Sequence, residues 1–170
     1  NFFGLDLPVY DKNGGYTWNW LPFLWQNGGE FLNDDRTEAT FNSPEGVEAL
    51  EFWKKMVQED KSVPLQAAPT GVNRFTSGIT AMVIDGPWNL STFLSDPKFK
   101  DKFGVAPLPQ KKTQATVVGG EGVVAFSNTK SPQEAYDYLV HLTCSDFVQT
   151  FWENWITIPP QPEFKDFYAN

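Results

Sequence analysis

The sequence predicts an α/β fold, because segments typical of strands and segments typical of helices alternate along the chain. Residues 79–84 form an apolar run of strand length, and a proline-containing turn and a helical segment follow it. Two further helical segments begin at a Ser-Pro pair with a glutamate one or two residues after the proline, which is typical of a helix start. Apolar residues make up 41% of the 170 residues, so one domain, or parts of two, can bury a core.

The predicted elements of the first half are a strand at residues 2–9, a helix at residues 16–27, a helix from Ser43 to about Glu59, a short helix ending at residues 75–78 and a strand at residues 79–84. The first helix ends at Gly28-Gly29, where a left-handed C-cap is favoured. Ser43-Pro44-Glu45 supplies a capping hydroxyl, a proline in the first turn and a carboxylate at the positive end of the helix dipole.

The predicted elements of the second half are a helix from Trp88 to about Leu94, strands at residues 103–107 and 116–126, a helix from Ser131 to about Leu142 and a helix at residues 145–153. Pro87 separates the first of these helices from the strand before it, because proline donates no hydrogen bond to a sheet ladder. Ser131 and Glu134 have the spacing of a capping box.

Charge and composition exclude several classes of function. The net charge of −8 and the pI of about 4.6 argue against a nucleic-acid partner, because such binding depends on clustered Lys and Arg. One cysteine, Cys144, and one histidine, His141, exclude a disulfide framework and a Cys/His zinc site. The acidic residues form no pattern of a general acid and base, and no apolar run reaches the roughly 18 residues of a transmembrane segment. We therefore predict no enzyme, no metal and no cofactor.

Aromatic residues carry the first indication of function. They make up 16% of the chain, and Tyr16, Trp18, Trp20 and Trp25 lie within ten residues of one another. Trp88 follows the apolar strand, and ligands of open α/β sheets bind outside the carboxyl ends of strands. Sugars present flat C–H faces that pack on aromatic rings. We predict that Trp88 stacks on a sugar, with core packing as the alternative, and that Trp20 and Trp25 serve the core.

An ordered series of motifs runs along most of the chain. Its members are Tyr16-Thr17-Trp18, residues 25–32, residues 41–52, residues 75–78, Ala81-Met82, Gly86-Pro87-Trp88, residues 104–109, Gly119-Gly120 and residues 131–135. In this order and spacing, the sequence resembles family 1 of the bacterial extracellular solute-binding proteins, the sugar receptors of ABC importers.

The resemblance implies a periplasmic-binding-protein-like (type II) fold, in which a hinge joins two α/β lobes and the ligand lies between them. It also implies that the chain is partial, because most of the first lobe and the carboxy-terminal end are absent. Residues 1–118 would belong to the second lobe, and residues 119–170 would form a helical segment that returns toward the first lobe. The implied function is to bind a sugar or oligosaccharide and deliver it to the permease subunits of an ABC transporter. The implied location is extracytoplasmic, in the periplasm or lipid-anchored at the outer face of the membrane.

The resemblance also implies a set of ligand-binding residues. Trp88 would stack on the sugar, Tyr16 and Trp18 would add ring and polar contacts, and the backbone at Gly119, Gly120 and Glu121 would approach the ligand. From their position beside Trp88, we add Asp85 and Asn89 as partners of sugar hydroxyl groups.

Two alternatives stay open: a solute-binding protein for a metal, polyamine or peptide, and a fragment of a carbohydrate-active enzyme. If the chain is a fragment, the returning helices should expose apolar surface and self-associate. The residues concerned are Tyr138, Leu142, Phe147 and Phe151.

Overall fold

The structure is a computed structural model that describes residues 2–9, 15–120, 122–144, 147–148 and 150–151. Its elements, in chain order, are β1 (Phe3–Asp6), α1 (Gly15–Gln26), α2 (Pro44–Gln58), β2 (Thr80–Val83), a 3-10 helix (Pro87–Asn89), α3 (Leu90–Ser95) and α4 (Pro132–Cys144). The chain divides into two compact units. The first unit comprises Asn1–Ile84 and Phe103–Val118, and the second comprises Asp85–Lys102 and Gly119–Asn170.

In the first unit, β1 and β2 form a parallel two-stranded sheet. Phe3 pairs with Thr80 and Asp6 pairs with Val83, so the carboxyl ends of both strands lie at the same edge. Both predicted strands are confirmed, and each is shorter than predicted because the hydrogen-bonded pairing covers only these residues.

The core of the first unit lies between α1 and α2. Phe23 of α1 packs edge-on against Trp53 of α2, with ring centroids 5.6 Å apart. Trp20 is buried and Trp25 packs partly buried against the same cluster, which confirms that both serve the core. The buried apolar side chains are Leu7, Trp20, Leu24, Ala49, Trp53, Met56 and Val63.

The glycine pair after α1 forms the predicted C-cap. Gly28 has a φ of +84°, the left-handed conformation that glycine adopts without steric cost. The amide nitrogens of Gly28 and Gly29 donate to the carbonyl oxygens of Trp25 at 2.9 Å and Leu24 at 3.0 Å, respectively. A Cβ on Gly29 would overlap the Leu24 side chain, so both positions of the pair require glycine.

Asn27, which precedes the glycine pair, connects α1 to α2. Its side chain is 2% exposed, and Nδ2 donates to the Glu45 carbonyl oxygen at 2.9 Å and to Glu48 Oε2 at 2.7 Å. Glu48 Oε1 also accepts a hydrogen bond from Lys111 Nζ at 2.5 Å. The buried amide of Asn27 and the exposed carboxylate of Glu48 therefore join the end of α1 to the start of α2 and to the segment around Lys111.

The start of α2 is capped as predicted. Ser43 Oγ accepts a hydrogen bond from the Gly46 nitrogen at 3.2 Å, and Pro44 occupies the first turn. The backbone carbonyl oxygen of Phe41 lies where a Cβ on Gly46 would be, so the chain before the helix packs directly on its first turn.

Three predicted elements are wrong in the described residues. Neither of the two predicted strands after α3 is present: no described strand pairs with residues 103–107, or with the described residues of the segment 116–126. Pro107 in addition donates no ladder hydrogen bond. Residues 74–78 form a turn rather than the end of a helix. Asn73 Oδ1 accepts from the Thr76 nitrogen at 3.0 Å, and such side-chain bonds compete with helix formation.

The helices of the second unit are close to their predicted positions. The 3-10 helix and α3 together occupy the region predicted from Trp88 to about Leu94, and α4 ends two residues beyond Leu142. Residues 147, 148, 150 and 151 are helical, and the rest of the helix predicted at residues 145–153 lies outside the described residues. Within the ranges that the structure describes, no helix is long and apolar enough to span a membrane.

Candidate functional site

The candidate site is built around the turn that follows β2. Gly86 is extended, and the 3-10 helix Pro87–Asn89 begins directly after it, with the Asn89 nitrogen donating to the Gly86 carbonyl oxygen at 3.3 Å. Proline fixes its own φ in the first turn and donates no hydrogen bond, which favours this abrupt start. Trp88 is the second residue of the 3-10 helix, and its side chain is 52% exposed. The indole therefore lies at the surface of the second unit rather than in its interior.

The two polar residues that flank Trp88 bind each other. Asp85 Oδ2 accepts a hydrogen bond from Asn89 Nδ2 at 2.6 Å, and Asp85 Oδ1 accepts from the Gly86 nitrogen at 2.8 Å. Each carboxylate oxygen has a second lone pair, and the Asn89 amide retains its oxygen as an acceptor. The turn thus places hydrogen-bond acceptors on both sides of Trp88 in sequence, which suits donors such as hydroxyl groups.

The predicted aromatic contacts of α1 belong to the first unit. Trp18 is 42% exposed, whereas Trp20 is buried and meets Phe41 edge-on with centroids 6.2 Å apart. Residues two positions apart point to different sides of a helix, so one indole faces solvent and the other faces the core. The backbone of Tyr16 lies in α1, and its side chain is outside what the structure describes.

The predicted glycine contacts lie in an exposed part of the second unit that has no regular secondary structure. Gly119 and Gly120 are both exposed, and a Cβ on Gly120 would meet no atom within 4 Å. Nothing in the described part of the chain therefore requires glycine at position 120. Glu121 lies outside the described residues.

Arg74 and Asp6 form a buried ion pair at the carboxyl end of β1, which was not predicted from the sequence. Arg74 is 6% exposed, and its Nη1 donates to Asp6 Oδ1 at 3.1 Å while Nη2 donates to the Gln66 carbonyl oxygen. The Arg74 carbonyl oxygen accepts from the Ile79 nitrogen at 2.8 Å. Arg74 thus holds the loop between α2 and β2 against the strand end. A lone arginine in a polar loop carries no motif that would have indicated this position.

An open groove of about 400 Å³ lies elsewhere in the first unit, beside the loop that follows α1. That loop is closed by a bridge between Leu32 and Ala39, and Asn33 Oδ1 accepts from the Thr37 nitrogen at 2.8 Å within it. The groove does not involve the strand ends. Its lining residues are Trp25, Glu30, Phe31, Leu32, Asn33, Asp34 and Arg36.

The Trp88 turn offers an aromatic ring and hydrogen-bond acceptors. Among them, no group of three or more His, Cys, Asp or Glu side chains could hold a metal ion. The only carboxylate at the Trp88 turn is Asp85, so this turn does not offer the pair of carboxyl groups that glycoside hydrolysis needs. An exposed indole flanked in sequence by hydrogen-bond acceptors is typical of a site that binds a small polar solute.

Comparison with known proteins identifies the family. The sequence pattern of the family described as bacterial extracellular solute-binding protein matches residues 9–168, and the chain belongs to this family. The resemblance found in the sequence is thereby confirmed, and so is the periplasmic-binding-protein-like (type II) fold, present in part. The family and its solved members are binding proteins rather than enzymes.

Individual relatives agree with this assignment. A protein of Brucella abortus (strain 2308), described only as a binding protein, is 30% identical over 154 residues, which are 86% of this chain and 37% of that protein. The lactose-binding protein of Rhizobium radiobacter is 25% identical over 148 residues, 84% of this chain and 34% of that protein. The GacH receptor of Streptomyces glaucescens, solved without ligand and in complex with acarbose, is 25% identical with a TM-score of 0.82, over 98% of this chain and 43% of that chain. The chain thus spans about two fifths of the length of these relatives.

Proposed function

We propose that this chain is part of the substrate-binding component of an ABC importer, which binds a sugar or oligosaccharide and delivers it to the permease subunits. The observation that carries the proposal is the half-exposed indole of Trp88 between the acceptors Asp85 and Asn89. The flat face of the ring suits the C–H face of a pyranose, and the acceptors suit its hydroxyl groups. The names of the lactose-binding relative and of the acarbose-bound receptor support the same ligand class.

The proposed lobe assignment follows the resemblance and the exposed apolar surface. Residues 1–118 form part of the second lobe, and residues 119–170 return toward the first lobe, so that the sugar binds between the two lobes of the whole protein. Exposed apolar side chains in the returning segment support this assignment, because several large apolar side chains exposed in one segment suit a surface that another part of the protein covers. They include Val123, Val124, Phe126, Tyr136, Tyr138 and Phe147, which are 40–74% exposed.

The proposal also covers where the protein acts and which residues contact the ligand. As a member of a family of extracellular binding proteins, the chain acts outside the cytoplasm, in the periplasm or lipid-anchored at the outer face of the membrane. It performs no catalysis, and it binds the sugar as a transport ligand. Trp18, Tyr16, Gly119, Gly120 and Glu121 are proposed to contact the ligand together with Trp88.

A second ligand class follows from the same turn. A carboxylate next to an exposed indole can also bind an ammonium group, by ion pairing with Asp85 and by a cation–π contact with Trp88. A polyamine is therefore the second candidate.

Calorimetric titration of the full-length protein tests both candidates. The panel contains neutral oligosaccharides, polyamines, amino acids and divalent metal ions, and chromatography of the recovered ligand shows whether it is unchanged. We expect a dissociation constant of about 1 μM or tighter for at least one sugar, which is roughly −8 kcal/mol. Turnover of the sugar, or binding confined to an amino acid or a metal, would contradict the proposal, and binding confined to a polyamine would favour the second candidate.

A further inference from the structure

Gly86 lies directly against the indole of Trp88. A Cβ built on Gly86 would overlap the Cζ3, Cη2 and Cε3 atoms of the six-membered ring, so the ring occupies the space that any other side chain would need. The ring therefore folds back over the backbone two residues before it.

The backbone itself does not require glycine at this position. Gly86 has a φ of −114° and a ψ of 173°, an extended conformation that every amino acid adopts. This distinguishes Gly86 from Gly28, whose positive φ alone favours glycine. The requirement at position 86 comes from the ring of Trp88.

The consequence of a larger residue at position 86 depends on which group can move. The indole is 52% exposed, so it can rotate into solvent without opening a cavity in the core. The Asp85 carboxylate holds the backbone of the turn through the Gly86 nitrogen and through Asn89 Nδ2. A methyl group on residue 86 should therefore displace the ring and leave the turn in place.

We propose that Gly86 is a positioning residue: the space that it leaves free lets the Trp88 indole lie over the backbone in the absence of ligand, and this orientation of the ring raises the affinity for the stacked ligand. The predicted effect of Gly86 on ligand affinity rests on the proposed function. The predicted effect of Gly86 on the orientation of the ring rests only on the contact between Gly86 and the Trp88 indole. A ring that already lies in its binding orientation loses less conformational freedom when the ligand arrives.

The first test measures the ring without any ligand. The full-length protein is labelled with 5-fluorotryptophan, and the ¹⁹F resonance of Trp88 is assigned by its loss in Trp88→Phe. In Gly86→Ala we expect the Trp88 resonance to shift, the other tryptophan resonances to keep their positions and the midpoint of urea unfolding to stay unchanged. Gly104→Ala is the matched control, because a Cβ on Gly104 would meet no atom within 4 Å.

The second test measures affinity by calorimetry with the tightest-binding sugar of the panel. Gly86→Ala should weaken binding about tenfold, a fraction of the loss expected when a stacking residue is removed. Gly104→Ala should bind as the wild type does.

Three results would overturn the inference. They are an unchanged Trp88 resonance in Gly86→Ala, a lower unfolding midpoint with shifts spread over all tryptophans, and an unchanged affinity despite a displaced ring. If the wild-type protein binds no sugar, the proposed function fails, whereas the fluorine spectra still decide whether Gly86 positions the ring.

Discussion

At the scale of single residues, Trp88 is the side chain whose removal should separate binding from folding. Its indole is half exposed and outside the buried cluster of the first unit. We expect Trp88→Ala to cost about 2 kcal/mol or more of ligand affinity, as is typical of aromatic residues in binding clefts. The free energy of unfolding should change little, because the substitution leaves no cavity in a core.

Calorimetry and urea unfolding of the full-length protein measure the two effects of Trp88→Ala. Trp88→Phe retains a ring and should lose less affinity, and Leu65→Ala truncates an exposed side chain away from the turn, so it should bind normally. An affinity of Trp88→Ala equal to that of the wild type would remove Trp88 from the ligand site.

The ion pair of Arg74 should matter for stability. Its two side chains are 7% and 19% exposed, and removal of one partner from a buried pair leaves the other without compensation. We expect Arg74→Met to lower the free energy of unfolding by about 3 kcal/mol. The double variant Asp6→Asn with Arg74→Met should recover part of the loss, because no uncompensated charge remains.

Chemical denaturation measures these differences, and the chain offers a matched exposed pair. Lys55 Nζ lies 3.5 Å from Asp60 Oδ2, with both side chains about half exposed. Because solvent screens such pairs, Lys55→Met should cost at most about 1 kcal/mol. Equal losses for Arg74→Met and Lys55→Met would show that burial of the first pair is unimportant.

These residues also show what sequence can and cannot predict at this scale. Trp88 could be selected because a tryptophan after a Gly-Pro break at a strand end has a position and a chemistry that point to a ligand. Arg74 could not, because its partner Asp6 is 68 residues away and only the folded chain brings the charges together. The hydrogen bond between Asp85 and Asn89 could not be predicted either, since it requires the 3-10 geometry of the turn.

At the scale of elements, the junction of α1 and α2 should give the stability a dependence on pH. The hydrogen bond from Lys111, followed by that from Asn27, lowers the pKa of the Glu48 carboxyl below its ordinary value of 4.5. A carboxyl whose pKa is lower in the folded state stabilises the fold above its unfolded pKa, and this contribution is lost as the pH falls through the folded pKa.

We therefore expect Glu48→Gln to be less stable than the wild type at neutral pH, with the difference shrinking as the pH falls below 4.5. Urea unfolding at a series of pH values measures the difference. Glu51→Gln, an exposed residue of the same helix, is the control. A constant difference between Glu48→Gln and the wild type from pH 7 to acid pH would argue against a role of the Glu48 charge.

A capped helix was predicted well from its local signals, whereas of the four predicted strands only β1 and β2, which pair with each other, are present in the described residues. α2 was found because Ser43, Pro44 and the apolar spacing all act within one segment. The residues near Val105 and Val118 have the composition of strands, yet a strand exists only where a second one donates and accepts hydrogen bonds. In the described part of the chain, these two valines are 86% and 92% exposed.

At the scale of the whole molecule, exposed apolar surface should govern solution behaviour. In α4, Tyr136 and Tyr138 are each 61% exposed, and Phe147 beyond it is 40% exposed. The sequence predicted four exposed apolar residues in this region. Tyr138 and Phe147 are exposed, whereas Leu142 and Phe151 are partly buried. We expect the isolated chain to self-associate as its concentration rises, because apolar surface of this kind is normally covered.

Light scattering coupled to size-exclusion chromatography tests this expectation over a range of concentrations. The full-length protein should elute as a monomer under the same conditions, and Tyr138→Glu with Phe147→Glu should reduce association of the isolated chain. A monomeric isolated chain at all concentrations would contradict the expectation.

The turn around Trp88 has a further consequence for how binding specificity can change. The side-chain hydrogen bonds of Asp85 and the backbone hydrogen bonds of the 3-10 helix join residues between Asp85 and Leu90, and the indole lies against Gly86. Much of the geometry of this turn is therefore set by six consecutive residues. If Trp88 stacks on the ligand as proposed, evolution can alter the other ligand contacts without rebuilding this turn, and a protein engineer can transfer the segment to another protein as one unit.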